Sequence, residues 1–173
     1  AGAGADTVEI ADGHNRVIGD QATWHLATET LTLTSASGSA GDNDIVNIDN
    51  GINLVMAGSG ADTITAIDGT NTILGDDGTA TFYADATLQF VTSSALTNSG
   101  DDTITLNGGQ NTVMAGSGAD TITAIDGTST ILSDDGTAVF SADAELQSVT
   151  SSALTNSGTD NITLNGGENT VIA

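Results

Sequence analysis

Six aspartates occupy the same place in a nine-residue pattern that runs along this chain. They are Asp6, Asp44, Asp62, Asp102, Asp120 and Asp160. If the pattern folds into stacked coils, the carboxylates form one column about 5 Å apart, and neighbours repel by roughly 3 kcal/mol at an effective dielectric near 20. The sequence holds 23 acidic residues against one arginine and no lysine, so the counter-charge has to come from solution. Calcium suits such a column, because it takes about 6–8 oxygen ligands that include carboxylates and backbone carbonyls.

The nine-residue pattern is strict outside the aspartates as well. With Ala57 as position 1, position 8 is Val or Ile in all twelve nonamers, and position 4 is Gly in eleven, Asp42 being the exception. Side chains alternate between the faces of a strand, so position 8 is predicted to fill the interior of a coil. Gly at positions 2 and 4 allows the positive φ angles of tight turns. Position 6 alternates between the aspartates and a second column, which is Asn15, Asn53, Asn71, Asn111, Ser129 and Asn169.

A longer repeat contains the nonamers. Residues 56–113 and 114–171 are two copies of a 58-residue unit that differ at nine positions. The sequence therefore predicts a single solenoid segment of three tandem repeats, 1–55, 56–113 and 114–173. Each repeat carries one insert that interrupts the nonamers, at residues 19–38, 75–96 and 133–154.

The stretch AGSGADTIT, at residues 57–65 and again at 115–123, resembles the repeats-in-toxin (RTX) nonapeptide GGxGxDxUx, in which U is a large apolar residue. The chain departs from that pattern in the Asn of every second nonamer and in the inserts, which are similar to repeat regions of very large secreted bacterial surface proteins. The resemblance implies a parallel β-roll in which two nonamers form one 18-residue coil and calcium ions lie between successive turns. It implies as ligands the six aspartates and the turn carbonyls near Gly2, Gly4, Gly58, Gly60, Gly116 and Gly118.

Each insert is predicted to be a β-hairpin, because two short strand-like stretches flank a polar turn. One insert follows every second coil, so the hairpins start about 9.6 Å apart and have room to form one additional sheet. This sheet is predicted to cover position 9 of the Asn-type nonamers, and the shared aromatic residues Trp24, Phe82 and Phe140 are then core residues. The covered residues are Ile18, Met56, Leu74, Met114, Leu132 and Ile172. The fold class predicted is all-β.

Alternatives remain open for each acidic group. The Asp column could instead cap its own turns through local backbone amides. The Asn column is expected to form hydrogen bonds along the axis without an ion, although Asp12, Asp68 and Asp126 could recruit calcium on that side. The GDDG run at residues 75–78 is interpreted as a solvated loop.

Composition excludes several functions. A formal charge of −22 disfavours nucleic acid and anionic membranes as partners, and no apolar run is long enough to span a bilayer. His14, His25 and Trp24 occur only in the first repeat, and no group of acid, base and nucleophile recurs, so the chain is not predicted to be an enzyme. The Thr-x-Thr strands, such as Thr63 and Thr65, resemble the ice-binding face of antifreeze solenoids, which gives an alternative function.

The sequence thus predicts a calcium-stabilised structural segment, a rigid spacer or fibre, of a large secreted bacterial surface or adhesive protein. Its ends carry no polar cap, so we expect the roll to continue into further repeats or to stack head to tail as a filament.

Overall fold

The computed structural model describes residues 4–26, 31–35, 41–93, 100–152 and 158–173, with the backbone alone for 24–26 and 31. These residues form strands and turns, and no helix among them is long and apolar enough to cross a membrane. The strands of the coils are β1 (Thr7–Ile10), β2 (His14–Ile18), β5 (Ile45–Ile48), β6 (Ile52–Met56), β7 (Thr63–Ala66), β8 (Thr70–Leu74), β11 (Thr103–Leu106), β12 (Gln110–Met114), β13 (Thr121–Ala124), β14 (Thr128–Leu132), β17 (Asn161–Leu164) and β18 (Glu168–Ile172). The strands of the inserts are β3 (Ala22–Leu26), β4 (Leu31–Ser35), β9 (Gly78–Phe82), β10 (Leu88–Ser93), β15 (Gly136–Phe140) and β16 (Leu146–Ser151).

Two parallel sheets form the roll, as predicted. The first has the order β1-β5-β7-β11-β13-β17 and the second the order β2-β6-β8-β12-β14-β18. Neighbouring strands pair position for position: Ile104 lies opposite Ile122 in the next coil and opposite Ile64 across an insert. The register therefore resumes after each hairpin as if no insert were present. Each nonamer contributes one strand and one turn, and two nonamers make a coil.

The core between these sheets is a double column of aliphatic side chains. Position 8 fills it, with the following residues completely buried: Val46, Val55, Ile64, Ile73, Ile104, Val113, Ile122 and Ile131. Position 1, which the sequence pattern did not mark as core, joins them, for example at Ile48 and Leu106. The reason is that strands such as Thr103–Leu106 run on past position 9, and residues two apart in a strand point to the same face.

The inserts form a third, antiparallel sheet of order β3-β4-β9-β10-β15-β16. It packs on the outer face of the second parallel sheet, and the two make a separate apolar core. Met56, Leu74 and Met114 are 0% exposed there, and Phe82 and Phe140 are buried with them. The predicted cover over position 9 is confirmed, as is the core role of both phenylalanines. The side chains of Trp24 and His25 lie outside the described residues.

Candidate metal centre

The first strand of each coil positions the aspartate column. Each aspartate stands one residue before a strand of the first parallel sheet, and those strands are paired in register. The six predicted side chains are consequently brought into one row along the axis of the roll. Asp44, Asp62, Asp102 and Asp120 are at most 2% exposed, and Asp6 and Asp160 of the terminal coils are partly buried.

One carboxylate oxygen of every column aspartate after Asp6 joins two coils. The backbone N–H of Asp6 donates to Oδ1 of Asp44 at 2.7 Å, and the same bond recurs at every step of the column. The remaining four bonds, from Asp44 to Asp62, from Asp62 to Asp102, from Asp102 to Asp120 and from Asp120 to Asp160, measure 2.7, 2.8, 2.8 and 3.0 Å. The alternative of local capping is wrong for this column, because each donor belongs to the preceding coil. The backbone bonds place the carboxylates between coils.

The second oxygen of these carboxylates has no partner. Oδ2 of Asp44, Asp62, Asp102 and Asp120 is buried and accepts no hydrogen bond from the described residues. A buried, unsatisfied polar atom costs about 1–3 kcal/mol, and more when it is charged. Four such oxygens in one row require either protons or cations beside them.

Without bound ions, the fold favours the protonated form of these carboxyl groups. Burial, reinforced by neighbouring carboxylates and opposed by the backbone hydrogen bond, raises the pKa of Asp62 and of Asp120 to about 7. The same causes raise the pKa of Asp102, in the middle of the column, to about 10. Burial also raises the pKa of Asp44. The folded chain without ions therefore disfavours the carboxylate charge that a calcium ion would stabilise.

The glycines of the turns let coils approach closely. Gly4, Gly58, Gly60, Gly116 and Gly118 all have positive φ, from 107° to 137°. A Cβ at Gly118 would overlap the carbonyl oxygen of Gly100 in the preceding coil, and a Cβ at Gly100 would overlap that of Gly60. The carbonyls of Gly60 and Gly100 therefore lie between successive turns, as does the carbonyl of Gly118, which a Cβ at Gly158 would overlap. The α-carbons of Gly58 and Gly116 face the carboxylates of Asp20 and Asp76. Gly2 lies outside the described residues.

The GDDG run is not a solvated loop, which corrects the sequence interpretation. Asp76 is 2% and Asp77 is 1% exposed, and Asp135 of the third insert is 2% exposed. The insert starts where a turn belongs: Gly75 N–H donates to Met114 O at 3.0 Å, just as Ala57 N–H donates to Leu74 O at 3.1 Å. The first residues of each insert therefore replace the start of a coil turn.

We call these segments, residues 19–21, 75–77 and 133–135, the hairpin roots. Their acids reach the coils on both sides: Ser117 N–H donates to Oδ2 of Asp76 at 2.6 Å, and Ser59 Oγ–H donates to Oδ2 of Asp77 at 3.0 Å. The nonamer register could have revealed the roots, since each insert begins directly after position 9 and so occupies positions 1 to 3 of the next turn.

The asparagine column forms a hydrogen-bonded ladder, as expected. The side-chain amide of Asn53 donates to Oδ1 of Asn71, and that of Asn71 donates to Oδ1 of Asn111, both at 2.9 Å. Each amide also donates to a carbonyl of its own turn, as Asn71 does to Asp68 O at 3.1 Å. The amide ladder from Asn15 to Asn111 is formed without an ion, whereas Oδ1 of Asn169 in the last coil has no partner among the described residues.

The exposed acids beside the asparagine column make only local contacts. Oδ1 of Asp12, Asp68 and Asp126 accepts a hydrogen bond of 2.7–2.8 Å from the next glycine. These bonds cap the turn of the same residue. Among the described residues, no group of three or more acidic side chains forms around these aspartates.

The donor set of the aspartate side fits calcium. Within the part of the chain that the structure describes, no three His, Cys, Asp or Glu side chains converge into a metal cluster. An ion on this side would therefore take unpartnered carboxylate oxygens together with backbone carbonyls and water, the mixture of hard oxygen ligands that calcium accepts. When bound, it would supply the positive charge that this column lacks.

Comparison with known proteins agrees with this chemistry. Residues 48–82 and 95–123 match the family model of the RTX calcium-binding nonapeptide repeat, a model of four repeat copies. These residues are RTX calcium-binding repeats. RTX nonapeptide repeats bind Ca²⁺, and the family is a structural, not a catalytic, repeat. Among curated proteins and solved structures, none matches the chain.

The stacking of coils explains why these RTX repeats are so regular. A stacked coil has to place the same backbone bond and the same carboxylate at every level, which fixes the apolar position 8 in each nonamer and Asp at position 6 of every second nonamer. The matched residues, 48–82 and 95–123, are thus calcium-binding structural repeats, and a hairpin sheet packs on one side of the roll that they belong to.

Proposed function

We propose that this RTX segment is a calcium-stabilised rigid spacer or fibre of a large secreted bacterial surface or adhesive protein, which folds when it meets calcium outside the cell. The observation that carries the proposal is the row of buried Oδ2 atoms without a partner in a chain of net charge −22. Folding without cations has to bury these carboxylates uncompensated. In a compartment poor in calcium the chain stays loose, which suits export.

The ligands in this proposal are those given by the repeat. They are Asp6, Asp44, Asp62, Asp102, Asp120 and Asp160, with the turn carbonyls near Gly2, Gly4, Gly58, Gly60, Gly116 and Gly118. The carboxylates already stand between coils through their Oδ1 bonds. Because ions between turns hold the coils together, the free energy of ion binding becomes free energy of folding.

A circular dichroism titration tests the proposal. In excess chelator near pH 8 the β-signal of the fragment is expected to be lost or strongly reduced, and millimolar calcium restores it. Calorimetry is expected to count about five ions at the Asp turns, one in each gap between six turns. Full β-signal in chelator with no heat of calcium binding would contradict the proposal.

We also infer that the roll continues into further repeats or stacks head to tail as a filament, because coils in contact bury the aliphatic positions of one another: Leu106 and Val113 of an inner coil are 0% exposed. Sedimentation of the fragment with calcium distinguishes a concentration-dependent filament from a spacer that stays monomeric.

Ice binding is the second candidate, and one observation favours it. The first parallel sheet sets Thr63, Thr103 and Thr121 in register on its exposed outer face, with Thr65 and Thr105 two residues further along their strands. In the first two coils Ile45 and Glu9 interrupt the threonine array. A thermal hysteresis measurement on the calcium-loaded fragment decides it: absence of hysteresis and of ice shaping excludes this function.

A further inference from the structure

The hairpin roots lie against the aspartate column and carry acids of their own. Asp102 Oδ2 and the carbonyl oxygen of Ala115 both abut the α-carbon of Gly75, the residue before Asp76. Asp76 in turn binds the amide of Ser117 in the next coil, and Asp77 binds the hydroxyl of Ser59 in the previous coil. One root thus joins three successive coil levels on the side of the Asp column.

These root acids have the same unsatisfied oxygen as the column. Oδ1 of Asp76 and Oδ1 of Asp77 are buried without a partner, in side chains that are 2% and 1% exposed. The third root repeats the arrangement: Oδ1 of Asp134 and of Asp135 are also unpartnered, and Ser117 Oγ–H donates to Oδ2 of Asp135 at 2.8 Å. The single arginine of the chain is far from this side, since Arg16 donates to Ala86 O at the tip of a hairpin.

The aspartate column alone carries too little negative charge to balance one divalent cation in each gap between coils. The column supplies two carboxylates for every two coils, Asp62 and Asp102 in the central repeat. One divalent cation in each gap between coils would bring twice that positive charge. Asp76 and Asp77 supply the two missing negative charges at the same levels, so that four carboxylates match two divalent cations.

We propose that the roots of the second and third inserts are calcium ligands, and that Asp76 and Asp77 complete the cation sites above and below Asp102, as Asp135 does in the gap below Asp160. The proposal rests on the proposed calcium ladder and adds ligands that lie outside the nonapeptide. It couples the hairpin sheet to calcium, because the strand Gly78–Phe82 starts directly at its root. A root that holds an ion fixes the first residue of the hairpin against the roll.

The test compares two variants that remove the same charge from different ends of the inserts. Asp76→Asn with Asp77→Asn removes two carboxylates from a root, and each Asn keeps an oxygen for its serine partner. Asp85→Asn with Asp143→Asn removes two exposed carboxylates from the hairpin tips. Calcium is titrated into each protein at pH 7.5, with folding followed by circular dichroism and binding by calorimetry.

The root variant is expected to need about tenfold more calcium for half-folding, or more, because the loss of groups that hold a metal costs about 10–100-fold in affinity. It is also expected to resist urea better than wild type in chelator, since it buries less negative charge. If the root only accepts hydrogen bonds, the substitutions should not raise the calcium midpoint while also increasing stability in chelator. The tip variant should match wild type within about twofold, because exposed charges interact weakly through water.

The outcomes separate this inference from the proposed function. If Asp62→Asn shifts the calcium midpoint while the root variant behaves like the tip variant, the roots are not ligands and the ladder stands. If wild type shows no response to calcium, the ladder fails and the roots with it. Should the double root variant not fold at any calcium concentration, Asp76→Asn and Asp77→Asn are titrated singly, and unchanged midpoints in both overturn the inference.

Discussion

Replacement of Asp102 by Asn should stabilise the protein without calcium and weaken it with calcium. Asn keeps an Oδ1 that can accept the N–H of Asp62, now bonded at 2.8 Å. Its Nδ2 would stand where Oδ2 lies, against Gly75. The shape and the bond between coils are preserved, so the substitution mainly removes one buried charge.

The size of the effect without calcium follows from the pKa of Asp102, which burial raises from 3.8 to about 10. At pH 8 the unfolded chain has released this proton and the folded chain retains it. Each pH unit above 3.8 costs the folded state about 1.4 kcal/mol, so wild type loses up to about 6 kcal/mol at pH 8 that Asp102→Asn does not lose. Near pH 4 the two proteins should be equally stable in this respect.

With calcium present, Asp102→Asn should destabilise the protein instead of stabilising it. The column loses a carboxylate beside two gaps, and the calcium needed for half-folding should rise by about tenfold or more. Urea denaturation in chelator at pH 4, together with the β-signal that each protein retains in chelator at pH 8, measures the first effect, and a calcium titration followed by circular dichroism measures the second. The double substitution of Asp62 and Asp102 by Asn should strengthen both trends.

Asn71→Ser with Asn111→Ser provides the matched control on the other side of the roll. It breaks the ladder bond of 2.9 Å between these amides and their bonds to turn carbonyls. Stability should fall by about 1 kcal/mol per lost bond with and without calcium, and the calcium midpoint should stay unchanged. Ser129 already occupies this column. Lower stability of Asp102→Asn in chelator, or a larger midpoint shift in the Asn variant than in the Asp variant, would refute the ladder.

Three further outcomes are expected. In chelator, wild-type stability should fall as pH rises from about 4 to 7. The reason is that burial raises the pKa of Asp62 and of Asp120 to about 7, so the folded state retains protons that the unfolded chain releases. Melting temperatures at pH 4.5, 6 and 8 that do not decline would contradict this. Gly118→Ala should destabilise the calcium-loaded roll more than Gly4→Ala, because both glycines have positive φ but only Gly118, of the two, faces a carbonyl oxygen. Equal urea midpoints of the two variants would show that the close approach of coils is unimportant. Phe82→Ala should lower the free energy of unfolding by about 3–5 kcal/mol, because the Phe82 side chain is 2% exposed and its ring centroid lies 4.3 Å from Arg16 Cζ. Val139 is 38% exposed, so Val139→Ala should change the melting temperature little.

The repeat pattern was enough to predict the coil, its aliphatic column, the hairpin sheet and the row of aspartates. Each depends on a short period: the alternation of faces along a strand, the nine residues of a nonamer and the 58 residues of a unit. A strict period repeats the same environment at every level. Position 8 and the position before each first strand could therefore be placed from residue types alone.

The hydrogen bonds of the carboxylates could not be predicted in this way, because they join coils that are distant in the sequence. The bond from one Asp amide to the next Asp Oδ1 joins residues 18, 38 or 40 apart, and no local pattern distinguishes it from a cap within the same turn. The burial of Asp76 and Asp77 likewise depends on a turn assembled from two separate segments, residues 75–77 and 100–102, which the hairpin divides in the sequence. Their polar, glycine-flanked sequence is that of a surface loop. They are buried because the coils before and after occupy the space on both sides of them.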